Sequence, residues 1–255
     1  SVRSAAGIDA DTLIVGFSLT GGTKPLLIRA VGPTLAALGV SGTLADPTLR
    51  LEGSGALIAE NDDWQSGGGE SIASTATNVG AFALPAQSKD AALLRSLAAG
   101  AYTAQVGGGS GVALVEVYDA GAATTSVKLG NVSARTRAGS GADTLIMGFV
   151  VAGDTAKSVL IRGIGPTLGA FGVNGALANP RLELFRDTMF VAQNNGWAGD
   201  ATLAAAFRQV GAFALPSDSV DAALLVTLLP GAYTVQIAAG AGTNGVALVE
   251  IYDVP

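Results

Sequence analysis

The chain repeats itself. DTLIVGF (Asp11–Phe17) returns as DTLIMGF (Asp143–Phe149), and LIRAVGPTLAALGVSGTLADPTLRL (Leu27–Leu51) returns as LIRGIGPTLGAFGVNGALANPRLEL (Leu160–Leu184). IAENDDW (Ile58–Trp64) becomes VAQNNGW (Val191–Trp197), and VGAFALP stands unchanged at Val79–Pro85 and Val210–Pro216. GVALVEVYD (Gly111–Asp119) closes the first copy and GVALVEIYD (Gly245–Asp253) the second. The spacing holds near about 130 residues, so only short insertions separate two copies of one module. Modules are expected at 1–119 and 133–255, joined by a linker at 120–132, where AGAATTSVKLGN (Ala120–Asn131) is small, polar and unmatched. Ser1-Val-Arg aligns with Ser133-Ala-Arg, which reads as a processed chain or a window on a longer tandem series.

Period and punctuation give the structure of one module. LIVGFSL, PLLIRAV, TLRLEG, AALLRSL, AYTAQV and VALVEVYD are short runs rich in Val, Leu and Ile, bounded by Gly, Pro or Asn. In VALVEVY, Val115 and Val117 share one face, and Leu114, Glu116 and Tyr118 the other. Helix signals are short. GPTLAALG (Gly32–Gly39) suits one or two turns, with Pro33 near its start. DATLAAAFRQVG (Asp200–Gly211) reads as a helix capped by Asp200, and its counterpart GGGESIASTATNVG is a weaker helix former, so the copies are expected to differ there. The expected fold class is all-β with one or two short helices per module: two tandem antiparallel β-sandwich or jelly-roll modules.

Composition removes several function classes. No apolar run of about 18 residues is free of Gly, Pro or charge, so membrane insertion is not expected. Charged residues make up 13% of the chain and the net charge is -6, with no basic cluster, which argues against nucleic acid and anionic lipid as partners. So few charges also suggest that part of the surface is covered by neighbouring modules or chains. There is no Cys and no His. That removes disulfides, thiolate metal sites, the Ser-His-Asp triad and most catalytic zinc sites. GxSxG, P-loop and HExxH motifs are missing, and GGGSG (Gly107–Gly111) lacks the lysine and helix of a phosphate loop. Asn131-Val-Ser133 matches a glycosylation sequon.

LRLEGSGALIAENDDW, followed by LAAGAYTAQVGGGSGVALVEVYD, resembles the strand–NDD–strand and Gly-x-Tyr-Thr signatures of pre-peptidase C-terminal-like β-sandwich domains. The whole unit, with LLIRAVGPTLAALGV and VGAFALP, resembles tandem repeats of large secreted bacterial surface proteins. These resemblances imply secretion, a β-sandwich and a non-catalytic accessory or structural role.

Three residue sets are candidate sites. Asn61, Asp62 and Asp63 follow a strand, and similar loops in the resembled sandwiches bind calcium; two carboxylates and an amide oxygen suit a hard cation. The second copy, Asn194-Asn195-Gly196, loses both carboxylates, and these residue types also form turns, which is the favoured reading. Calcium is therefore a candidate cofactor at the first loop alone. Trp64 and Trp197 could stack on a sugar, making a glycan a candidate partner, or pack in the core, which is favoured. Arg29 and Arg162 sit inside apolar strands, as do Glu116 and Glu250. Pairs Arg29–Glu116 and Arg162–Glu250 are expected, serving the fold rather than catalysis, with Asp90 and Asp221 as alternative partners or turn caps.

The expected function is a non-catalytic extracellular or cell-surface repeat, structural or adhesive, with the subunit of a surface fibre or filament as one form of it; the alternative is a carbohydrate- or calcium-binding accessory module of a secreted protein. The expected partners are other copies of the chain or neighbouring repeats, head to tail, with unpaired edge strands near Ser1–Ala6 or Val127–Arg137 adding to a neighbour's sheet.

Overall fold

Leu13, Val15, Phe17 and Leu19 alternate with more exposed residues, and in the computed structural model all four are buried on one face of a strand. The structure describes residues 1–121, 127–239 and 243–255, which form two units, Ser1–Gly130 and Asn131–Pro255. The first contains β1 (Val2–Ala6), β2 (Leu13–Thr20), β3 (Lys24–Val31), β4 (Thr48–Gly53), β5 (Ala56–Asn61), β6 (Ala91–Leu97), β7 (Gly100–Gly107) and β8 (Gly111–Asp119). Its strands run β1-β8-β3-β6 in one sheet and β2-β7-β4-β5 in the other. First pairs with last, second with seventh, third with sixth and fourth with fifth, all antiparallel. This is an eight-strand hairpin rolled into two sheets, the jelly roll.

The second unit repeats the order with β9 (Lys128–Ala138), β10 (Leu145–Val151), β11 (Lys157–Ile164), β12 (Arg181–Arg186), β13 (Met189–Asn194), β14 (Ala222–Leu228), β15 (Gly231–Ala238) and β16 (Gly245–Val254). Pairs β9–β16, β10–β15, β11–β14 and β12–β13 reproduce the first unit's pairing. The fold is all-β and antiparallel. One expectation is corrected: β9 begins at Lys128, so the C-terminal part of the stretch read as a linker is strand, and the units divide after Gly130. Residues 122–126 of that stretch lie outside the described residues. The jelly roll joins its first strand to its last: β1 pairs along its whole length with β8, and β9 with β16 from Asn131 onward, so the strands at Ser1–Ala6 and within Val127–Arg137 each have one edge laddered inside their own unit.

In the sheet β1-β8-β3-β6, strand β3 is buried on both faces. Leu26, Ile28 and Ala30 face the opposing sheet, whereas Leu27 joins Trp64, Ile72, Ala76 and Ala92 in a second apolar cluster. That outer layer comes from the long β5–β6 connection. The connection between β3 and β4 carries α1 (Pro33–Ala37), started by Pro33 as the sequence suggests. α2 (Gly69–Asn78) forms in the first unit and α3 (Ala201–Gln209) in the second. The weak helix former of the first copy is thus helical after all. Ile72 and Ala76, one turn apart, bury against the sheet, and packing of an apolar stripe outweighs propensity. Only the caps differ. Asp200 accepts hydrogen bonds from the amides of Thr202 (2.7 Å) and Leu203 (2.9 Å), whereas Gly68 brings no capping side chain.

Because Ile72 anchors this layer, Ile72→Ala is expected to destabilise the first unit by about 2–5 kcal/mol. Urea unfolding followed by Trp64 fluorescence in a Trp197→Phe background measures it; an unchanged midpoint would show that the outer layer is not tied to the sheet.

Candidate functional site

Arg29 lies in β3 directly across from Glu116 in β8 and Ala92 in β6, on the face covered by the outer layer. A guanidinium there needs a counter-charge and a full set of acceptors. Glu116 Oε2 accepts from Nε at 2.8 Å and from one terminal nitrogen at 2.5 Å. The other terminal nitrogen donates to the Phe82 carbonyl at 2.6 Å, and the guanidinium stands 4.3 Å from the Phe82 ring centroid. Glu116 Oε1 accepts from the Tyr118 hydroxyl at 2.6 Å. The second unit matches this group for group. Arg162 donates to Glu250 Oε2 at 2.8 and 2.5 Å and to the Phe213 carbonyl at 2.6 Å, and the Tyr252 hydroxyl donates to Glu250 Oε1 at 2.9 Å. The expected arginine–glutamate pairs are therefore in contact.

Asp90 and Asp221 are not the arginines' partners. Both are buried just before β6 and β14 and serve the Gly-Pro-Thr turn. Asp90 Oδ1 accepts from the Gly32 amide at 2.8 Å, and its other oxygen from the Thr34 hydroxyl. Asp221 takes the Gly165 amide at 2.7 Å and the Thr167 hydroxyl. The backbone carbonyls of the two aspartates accept from the amides of Trp64 and Trp197, each at 2.8 Å. Glycine is required in this turn by close approach. A Cβ at Gly32 would lie 2.1 Å from the Leu44 carbonyl oxygen, and one at Gly165 2.0 Å from that of Leu177.

Trp64 and Trp197 are 6% and 5% exposed, inside the second apolar cluster of their units. Their indole nitrogens donate to the carbonyls of Pro85 (3.0 Å) and Pro216 (2.9 Å). Neither ring offers a free face, so the sugar-stacking reading of these two residues does not match their burial. Asn61, Asp62 and Asp63 are turned to separate tasks. Asn61 Oδ1 accepts from the Ala92 amide at 2.9 Å, Asp62 is exposed, and Asp63 pairs with Lys89 at 3.0 Å. Asn194 makes the same bond to the Ala223 amide at 3.0 Å. The amide is kept in both copies because it ties this loop to the next strand, which explains why the carboxylates could be lost. Among the described residues, no group of three or more His, Cys, Asp or Glu gathers as a metal site.

The network's residues are mostly buried and engaged with one another, so its chemistry is that of a brace holding the outer layer on the sheet. Sequence reasoning did not assign Phe82, Phe213, Tyr118, Tyr252, Thr34 or Thr167 to it. The available signal was the unchanged VGAFALP and Gly-Pro-Thr segments in both copies.

Fold and site together define a tandem jelly-roll protein with one internal brace per unit. No protein-family model matches the chain, and no curated protein does. Among solved structures it is similar to the major capsid protein P2 of bacteriophage PM2, with 9% identity, 99% of this chain and 98% of that one covered, and a TM-score of 0.25. It is similar also to the tandem CBM51 modules of a family 98 glycoside hydrolase from Streptococcus pneumoniae (9% identity, 99% and 83% covered, TM-score 0.28). The STIV major capsid protein gives 11% identity, 99% and 97% coverage and a TM-score of 0.25. Identities and TM-scores this low carry no functional inference.

Two outcomes test the brace. Glu116→Ala strands a buried guanidinium and is expected to cost about 3–5 kcal/mol in the first unit, read from its denaturant midpoint; a change below about 1 kcal/mol would mean that Arg29 is solvated instead. The second is alkaline. Burial first, then the hydrogen bond to Glu116, raises the Tyr118 pKa well above its ordinary 10.0. Burial first, then the negative charge of Glu250, does the same for Tyr252. The stability these hydroxyls contribute is complete below pH 10 and is lost as pH climbs toward their folded values. Tyr118→Phe with Tyr252→Phe should flatten the fall of the thermal midpoint above pH 10, relative to each protein's value at pH 7; parallel curves would refute the assignment.

Proposed function

We propose that the chain is a non-catalytic structural or adhesive repeat of an extracellular bacterial surface protein, assembling with other copies or neighbouring repeats. One observation carries the reading: four polar pairs that recur between the copies, Arg29/Arg162, Glu116/Glu250, Asp90/Asp221 and Asn61/Asn194, are engaged with the protein itself. Selection for a rigid unit accounts for that pattern. Selection for a shared active site would instead favour recurring polar groups that converge on an accessible cleft. Sparse surface charge supports covered surfaces in the working assembly. No helix among the described residues is long and apolar enough to cross a membrane.

Electron microscopy of the purified chain over a concentration series tests this reading. Filaments or regular arrays with a repeat of one or two units are expected. Isolated particles at every concentration, together with retention on glycans or calcium-dependent stabilisation, would replace it with the accessory binding module.

A further inference from the structure

β5 and β6 end the two sheets of the first unit, and β13 and β14 those of the second. An end strand carries unpaired backbone groups and needs protection from stray pairing. In β5 and β13 a register shift supplies it, with Ile58 and Val191 bulging out of the ladder. In β6 it is Arg95, whose guanidinium folds back to the Leu94 carbonyl at 2.9 Å. β14 has neither device. It pairs with β11 from Ala222 to Leu228 without a shift, and its sequence, AALLVTL, holds no charge and no proline. Val226 stands where β6 has Arg95. The loss is wider than one residue. Glu60, Asp62, Asp63, Lys89 and Arg95 lie on or beside β5 and β6, and their counterparts in the second unit are Gln193, Asn195, Gly196, Val220 and Val226. The same module is thus made once with a charged edge and once with all five charges removed.

We propose that β14 is a seam through which two copies of the chain pair, β14 against β14, antiparallel about a two-fold axis. This rests on the assembly of copies proposed above and names where they meet. Backbone geometry fixes the groups available. The Ala223 amide turns away from β11 and donates to Asn194 Oδ1 at 3.0 Å. Direction alternates along a strand, so Leu225 and Thr227 also turn their amides and carbonyls to the open side. Both residues are exposed, as are Val220 and Leu229 beyond the ends of the strand. Asn194 closes the edge at Ala223, which leaves an open stretch centred on Val226. With the axis at Val226, Leu225 of each copy lies opposite Thr227 of the other, and every open amide meets a carbonyl. A second β14 is favoured as the occupant because bulges or Arg95 close the other end strands, and because like edges meet here without opposed charges. Asp218, exposed ahead of β14, falls at opposite ends of an antiparallel pair, and Lys157 beside Leu228 is engaged with Asp253 at 3.5 Å. An arginine at position 226 would instead face its own copy across the axis, and like charges directly opposite destabilise a ladder. A two-fold contact closes at two copies, so an open array needs a further surface.

Val226→Arg installs the first unit's own residue and tests the seam in the full chain. Sedimentation velocity should show wild type passing from the 25.1 kDa monomer to twice that mass with concentration, and the variant staying monomeric. Matching circular dichroism and thermal midpoints establish that the variant is folded. If it is not, hydrogen exchange of the wild type decides: the Leu225 and Thr227 amides should slow at dimer-forming concentration, and those of Leu94 and Ser96 should not. A wild-type chain monomeric throughout, a folded variant that still pairs, or a dimer whose Leu225 and Thr227 amides exchange as fast as in the monomer overturns the proposal. The two readings fail separately. Wild-type dimers that never grow into arrays, and are lost in Val226→Arg, uphold the seam and count against the array; arrays that Val226→Arg still forms uphold the array and overturn the seam.

Discussion

The buried arginine–glutamate pair is the constraint around which each unit is arranged. It sits on the outer face of a sheet, a place where a jelly roll ordinarily meets solvent, and a charge there is tolerable only under a cover that supplies acceptors. The cover is the β5–β6 connection. Phe82 closes the guanidinium with a carbonyl and a ring, and Trp64, Ile72 and Ala76 fill the space beside it. Beneath this cover β3 becomes a middle strand, buried on both sides. Arg29 thus sets the shape of a connection more than fifty residues away in sequence.

Asp90 applies the same logic to the other connection. It stands where the cover ends and β6 begins, and holds the Gly-Pro-Thr turn with its side chain and Trp64 with its carbonyl. One buried aspartate therefore couples the β3–β4 and β5–β6 segments. Its carboxylate supplies the acceptor that the amide at the start of a five-residue helix does not find within the helix. The second unit keeps the arrangement although Gly169 replaces Ala36 and the helix tightens to a 3₁₀ form over Pro166–Phe171. The brace tolerates that change because its contacts are made at the start of the turn.

Much of this was legible in the sequence, for reasons that differ by element. The duplication, the strands with two-residue alternation and the Asp200 cap rest on local signals. The arginine–glutamate pairing was readable because a charge inside an apolar strand demands a partner and each copy offers few. β1 was less visible: Val-Arg-Ser-Ala-Ala has little alternating hydrophobicity and owes its strand to the ladder it forms with β8. α2 was underestimated because its stability comes from Ile72 and Ala76 meeting a surface built by distant strands. The roles of Phe82 and Asp90 depend on which segments cross, and spacing along one chain does not encode that without the fold.

Pairing the first strand of a unit with its last also governs the order of events while the chain is made. β1 is available from the start, yet its hydrogen-bond partner ends at Asp119, and Arg29 waits for Glu116 just as long. Loop closure over such separations is slow, and no early hairpin can substitute for the missing strand. A nascent chain therefore remains open until nearly the whole unit has emerged, and then closes its outermost pair and its buried charge together. For a polypeptide that must travel any distance before folding, lateness of this kind keeps it threadable up to the arrival of its final strand.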